Sequence, residues 1–186
     1  LRSSASICGS KVFMESLIGR WVLGAVVVAA AATDLRMRQI PNWLTLPAMA
    51  AGLGINSFLG LGFAKALWGV LVALGTFAIF FAIGFMGAGD GKLMGAVGAF
   101  VGWPQIATVM VLVAVLGGLA GVVVAWRQGA LGQVLRNTAG LIGDMVMLRW
   151  RAVKQQSDFR APGRVRLPYG AVIALGTLVF LLTSPR

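Results

Sequence analysis

Between residues 17 and 126 the chain is a succession of apolar runs, each near the length that crosses a bilayer and each parted by a short polar break. A helix rises about 1.5 Å per residue, so roughly twenty apolar residues bridge a hydrocarbon core about 30 Å thick. No soluble core built from 186 residues, 59% hydrophobic and 11% charged, would hide so much apolar surface. The pattern therefore reads as all-α, a polytopic membrane protein with about six transmembrane helices and no soluble domain.

The expected spans cover residues 17–32, 43–61, 67–86, 93–103, 106–126 and 169–182. Arg20 lies in the first turn of the first span and is expected to snorkel to the interface. Ile40-Pro41-Asn42 opens the second span, with Pro and Asn placed as they are at helix starts. The fourth is short and ends at Trp103-Pro104. Residues 1–16 read as an amino-terminal extension not necessarily native, since Met14 offers a start; residues 17–186 make up the membrane domain. Residues 29–32 resemble a signal-peptidase site, but Arg36 and Arg38 follow at once and oppose export.

Small residues mark where helices touch. Gly91, Gly95, Gly98 and Gly102 form one stripe on the fourth span, and Gly117 and Gly121 a GxxxG on the fifth. Helices in lipid associate by close packing, so these stripes read as contacts. On this reading Gly98→Leu disturbs the fourth span and Gly98→Ala is nearly silent.

The net charge of +11 raises nucleic acid as a partner, but the basic residues lie between apolar spans, and topology accounts for them better. With the first span running outward to inward, Arg36, Arg38, Lys92 and the basic residues of 127–166 are cytoplasmic, eleven of the sixteen Lys and Arg. Segment 127–166 is too polar to span. Leu131, Val134, Leu135, Leu141 and Ile142 beside Arg136 and Arg149 suit a basic amphipathic helix on the inner leaflet, with a solvated loop as the alternative. Membrane lipid is the partner this implies.

The chain has no histidine and one cysteine, which removes zinc sites, His-dependent triads and disulfides. No metal or cofactor is expected. What remains is five acidic residues. Asp90 follows a long apolar run, and a carboxylate at a membrane position costs a few kcal/mol, so it marks function by default. Gly87, Gly89 and Gly91 surround it with backbone that can turn or be approached closely; the plain alternative is a capped helix end with a snorkelling Lys92. Asp34 ends the first span as Asp90 ends the third. Spans one and three run in the same direction, so both aspartates emerge on the same face at similar depth. Asp144 and Asp158 sit among arginines, where ion pairing explains them. Two carboxylates at matched depth with no histidine suggest a dyad sharing a proton, one member taking a proton from water and the other donating to a carbonyl. A proton- or cation-coupled transporter using Asp34 and Asp90 is the alternative, although acids at span ends suit it less than acids at the midplane.

Gly87-Ala88-Gly89-Asp90-Gly91-Lys92-Leu93 resembles the GxGD motif of the polytopic aspartyl proteases, and with its trailing Lys-Leu it is most similar to the prepilin peptidases. Asp34, with Arg36, Arg38 and Ile40-Pro41-Asn42, resembles that family's first catalytic aspartate and the turn after it. Leu167-Pro168-Tyr169-Gly170 resembles its Pro-Tyr-Gly signature. Thr33 departs from the Tyr that the presenilin branch carries before its first aspartate. The resemblance implies a membrane aspartic endopeptidase in which Asp34 and Asp90 are catalytic. Gly87, Gly89, Gly91, Lys92, Pro41, Asn42, Pro168, Tyr169 and Gly170 would shape the site. It further implies removal of the basic leader of type IV or Flp prepilins at the cytoplasmic face of the inner membrane. With one cysteine, the chain lacks the four-cysteine zinc site of the methylating domain and is similar to the short Flp, or tight-adherence, form. Prepilins are the implied substrates and the pilus assembly machinery a further partner.

Overall fold

A computed structural model of the protein describes residues 2–37, 39–59, 62–83, 86–127, 129, 132 and 169–183. Six helices run through them: α1 (Arg2–Met37), α2 (Asn42–Leu59), α3 (Phe63–Ile83), α4 (Ala88–Val101), α5 (Gln105–Arg127) and α6 (Tyr169–Thr183). No strand occurs among the described residues, so the all-α expectation holds. By length and composition three stretches can cross a membrane: Ile18–Met37 of α1, Phe63–Ala82 of α3 and Gln105–Arg127 of α5. The segment expected to form an amphipathic helix lies, from residue 133 on, outside the described residues, as do Arg38 and Pro168.

Two expectations are corrected. Asp90 does not end the third span. It sits in the first turn of α4, which begins at Ala88, ahead of the expected 93. A carboxylate is favoured there because the first N–H groups of a helix have no intrahelical acceptor and the macrodipole is positive. Arg20, half-buried, does not simply snorkel: its guanidinium donates to the Leu181 carbonyl in the last turn of α6, where unpaired carbonyls favour a cation.

The bundle is a ring around one helix. α1, α2, α3, α5 and α6 each touch the next, closing from α6 back to α1, and α4 runs through the middle in contact with all five, most extensively with α3 and α2. Every residue from Leu93 to Gly102 is buried. A central helix needs neighbours on all sides, and the Gly- and Ala-rich sequence of α4 lets their backbones approach.

The closest approach is glycine on glycine. A Cβ at Gly98 would meet the Gly69 carbonyl oxygen of α3 and lie 2.7 Å from its carbonyl carbon, while one at Gly69 would lie 2.9 Å from Gly102 Cα. Gly95 faces Met49 of α2 and Leu74 of α3, and Gly91 faces Phe77 of α3, so the stripe read from the sequence packs mainly on α3. Gly102, at φ 70°, ends α4 and donates to Gly98 O at 2.8 Å. The carbonyls left over at that end find donors on the neighbours. Asn56 of α2, itself buried, reaches Ala99 O at 2.6 Å and Phe100 O at 2.9 Å. In return, the Trp103 amide donates to Lys65 O at 2.9 Å. Polar groups out of reach of water are thus paired across helices.

These contacts overturn the expectation that Ala is silent at Gly98, because backbone cannot yield as a side-chain tip does. Gly98→Ala is expected to lower the stability of the folded protein in detergent by about 1–3 kcal/mol. Gly75 has no atom within 4 Å of its Cβ position, so Gly75→Ala should hold or gain up to about 1 kcal/mol from helix propensity. Unfolding midpoints of the two variants check both; equal midpoints would mean that α3 and α4 do not meet at these glycines.

Candidate active site

Asp34 lies on the inner side of α1, one turn before its end, and is 7% exposed. Its Oδ2 accepts the Gly170 amide at 2.9 Å. Gly170 is the second residue of α6, so the carboxylate faces a helix N-terminus, which suits an anion. The fit is close enough to require glycine: a Cβ at residue 170 would lie 2.8 Å from Asp34 Oδ2 and 3.0 Å from its Cγ.

Asp90 is held in a parallel way. Gly87 is the N-cap of α4; its amide donates to Asp90 Oδ2 at 3.1 Å, and the Asp90 amide donates back to Gly87 O at 3.2 Å. The capped helix end read from the sequence is therefore present, on the same side chain that was singled out for chemistry. In both aspartates one carboxyl oxygen is committed to a backbone amide, and neither has a cationic partner among the described residues. Asp90 precedes the apolar part of α4 and lies in none of the spanning stretches. Its carboxyl is pushed up to about 6, first by burial, with the Gly87 amide pulling down and the charge of Asp34 adding to the rise. The two aspartates are thus within each other's electrostatic reach, on α1 and α4.

The remaining candidates fall around this pair. Gly89 sits against Ile40, whose Cβ and carbonyl oxygen lie 3.3 and 3.6 Å from where a Cβ would be, and Gly91 against Phe77 at 3.3 Å. Both are helical, so of the two roles expected of them, close approach is the one they serve. Lys92 donates to Asn42 Oδ1 at 2.8 Å. Pro41 supplies the carbonyl that accepts the amides of Leu44 and Thr45 at 3.1 and 3.4 Å, starting α2. Together Lys92, Asn42, Gly89 and Ile40 dock the α1–α2 turn on the first turn of α4. Tyr169 opens α6 within reach of the Asp90 charge, its ring beside Gly117 of α5. Arg36 is exposed in the last turn of α1.

Sequence reasoning missed two positioning residues, Arg20 and Asn56, which fasten the far ends of α6 and α4. The signal was available for Asn56, a lone amide in an apolar run, since such residues in lipid pair with a neighbouring helix.

A helical bundle with three stretches long and apolar enough to span a bilayer, and with Asp34 and Asp90 toward one end, defines a polytopic membrane protein. Residues 21–122, more than half of the chain, match the type IV leader peptidase family, and the chain belongs to it. It is 36% identical to a prepilin leader peptidase/N-methyltransferase of Burkholderia pseudomallei (strain 1026b) over 123 residues, 56% of this chain and 37% of that protein. It is 29% identical to the protein of that name from Myxococcus xanthus (strain DK1622) over 130 residues, 66% of this chain and 39% of the other. For the one from Stutzerimonas stutzeri the figures are 32% over 124 residues, 59% and 43%. The matched stretches thus span less than half the length of these relatives. No solved structure matches the chain significantly.

The electrostatics yield a direct test. Because Asp34 raises the Asp90 titration and burial raises it more, Asp34→Asn should lower the pH at which the infrared band of the protonated Asp90 carboxyl disappears. The band should remain at a pH above that of a free carboxylate, since burial persists. An unchanged titration in that variant would mean the aspartates do not sense each other.

Proposed function

We propose that the protein is an aspartic endopeptidase of the inner membrane that removes the leader of prepilins, with Asp34 and Asp90 as its catalytic pair. The observation that carries this reading is the mutual reach of two aspartates, each fixed by one backbone amide, within a family of leader peptidases. Like charges near one another do not both ionise at low cost, so in this reading the pair shares one proton. The ionised carboxylate takes a proton from water as the oxygen attacks the scissile carbonyl, and the protonated one donates to the carbonyl oxygen. Collapse of the tetrahedral species passes a proton to the leaving amine and returns the pair to its starting state. The amides of Gly170 and Gly87 keep the carboxyls in place, which matters because misplacement by about 1 Å can cost a hundredfold in rate.

The pair faces the cytoplasm in this reading, since the positive-inside rule puts Arg36, Lys92 and Arg127 on that side. The matched stretch carries the peptidase activity in this reading, with Flp prepilins among its substrates. The transport alternative has no support in the relatives found.

Asp34→Asn and Asp90→Asn should each abolish cleavage of a prepilin in detergent, leaving the protein in the membrane, because an amide cannot exchange the proton. Gly170→Ala should lower cleavage per folded molecule by roughly tenfold or more through Asp34 alone. Full cleavage by either Asn variant would remove the pair from the mechanism; loss of ion-coupled uptake in the same variants would establish the transporter instead.

A further inference from the structure

Tyr169 is the chain's single tyrosine and the first residue of α6. The amide of the next residue, Gly170, holds Asp34 Oδ2 at 2.9 Å. Bond lengths then put the Tyr169 Cα within about 5 Å of that oxygen. At the far end of the side chain, Cε1, the ring carbon next to the one bearing the hydroxyl, lies 3.8 Å from the Cβ position of Gly117 on α5. The tyrosine is thus fastened to Asp34 through its own backbone and braced on α5 through its ring. Asp90 lies within electrostatic reach of its hydroxyl, so this one side chain stands by both aspartates.

The hydroxyl is uncommitted. Tyr169 is half-buried, and its hydroxyl has no hydrogen-bond partner among the described residues, although a tyrosine O–H away from water usually finds one. Four other donors around the pair are spent. Gly87 and Gly170 give their amides to the aspartates, Thr33 gives its hydroxyl to Ala30 O at 2.9 Å, and Lys92 donates to Asn42. The Thr45 hydroxyl also lacks a partner, but Thr45 is fully buried and out of a substrate's reach, whereas Tyr169 retains exposed surface. The proposed reaction has a use for such a donor. Charge develops on the carbonyl oxygen as water attacks, and a donor already in position stabilises that charge without reorganisation.

We propose that Tyr169 is a third catalytic residue, whose hydroxyl donates a hydrogen bond to the scissile carbonyl oxygen as negative charge gathers there. No bond to Tyr169 is made or broken: a phenol keeps its proton near neutral pH, and the proton that ends on the carbonyl oxygen still comes from the aspartate pair. The inference rests on the peptidase reading and adds a group to it. It also gives the contact between Asp34 and Gly170 a second consequence, since the helix start that fixes the carboxyl fixes, one residue earlier, a donor to the same substrate bond.

Tyr169→Phe removes the hydroxyl alone. In detergent, with a prepilin substrate, it should lower kcat roughly tenfold to a hundredfold and change KM less than about twofold, at an unaltered unfolding midpoint. Its affinity for a peptide inhibitor carrying a hydroxyl in place of the scissile carbonyl should fall by a factor similar to that in kcat. A merely structural role would not link those two losses. Because the chain has one tyrosine, protein grown on 3-fluorotyrosine is labelled at that position alone and retains the hydroxyl. It should keep the parent's kcat, and its fluorine resonance should move when the inhibitor binds. Cleavage by Tyr169→Phe at the parent's rate overturns the proposal, as does a loss confined to KM or a resonance unmoved by bound inhibitor. A parent that cleaves no prepilin overturns the peptidase reading, and the proposal with it.

Discussion

The crossing of α3 and α4 at Gly69 and Gly98 is the contact on which the bundle rests. It is backbone against backbone, with no side chain between, and such proximity is how helices in lipid gain attraction without a hydrophobic drive. It brings α4 into the middle of the ring and so determines where its first turn, with Asp90, emerges. Buried from Leu93 to Gly102, α4 has no freedom to slide without displacing all five neighbours. Its far end is pinned by Asn56 and its near end by Lys92 on Asn42.

Both aspartates are stabilised by the same device, a backbone amide at a helix start. Asp90 uses the start of its own helix, through Gly87; Asp34 uses that of another, through Gly170. Glycine is needed at 170 because the carboxyl occupies the space of a Cβ. Among the described residues each carboxyl is thus held by polar backbone, with no cationic side chain beside it. A neighbouring Lys or Arg would favour full ionisation and work against the raised Asp90 carboxyl.

How much of this was legible in the sequence depended on whether the signal was local. Run length and hydropathy disclosed the helices, and direction alone placed Asp34 and Asp90 on one side, because odd-numbered spans run the same way. The glycine stripe was visible at its helical spacing. Its severity was not: whether Gly98 meets a side chain or a backbone depends on Gly69, twenty-nine residues away in sequence. The start of α4 was misplaced because Gly87, Gly89 and Gly91 resemble a loop, whereas burial against Ile40 and Phe77 holds Gly89 and Gly91 helical. Tertiary contacts outweighed the roughly 1 kcal/mol that each glycine costs a helix. Arg20 was read as snorkelling because its partner, the Leu181 carbonyl, carries no side-chain signature.

The interactions that fasten helices together fall into two sets, and this division explains why the pair sits where it does. One set joins α2, α3 and α4: Gly69 with Gly98, Gly95 with Met49 and Leu74, Asn56 with the end of α4, and Lys92 with Asn42. The other joins α1, α5 and α6: Arg20 with Leu181, Asp34 with Gly170, Gly117 with Val172, and Gly176 with Val113. Asp90 belongs to the first set and Asp34 to the second. Each carboxyl is held mainly within its own set, and the sets meet in apolar packing that includes Leu23, Val27, Met94 and Ile173 and at the α1–α2 turn, where Ile40 lies against Gly89 beside Asp90. Apolar contacts are non-directional and tolerate small shifts better than hydrogen bonds do. The turn that docks the end of α1 on the first turn of α4 therefore works with this apolar packing to place the two carboxyls, while the backbone amides of Gly87 and Gly170 orient them.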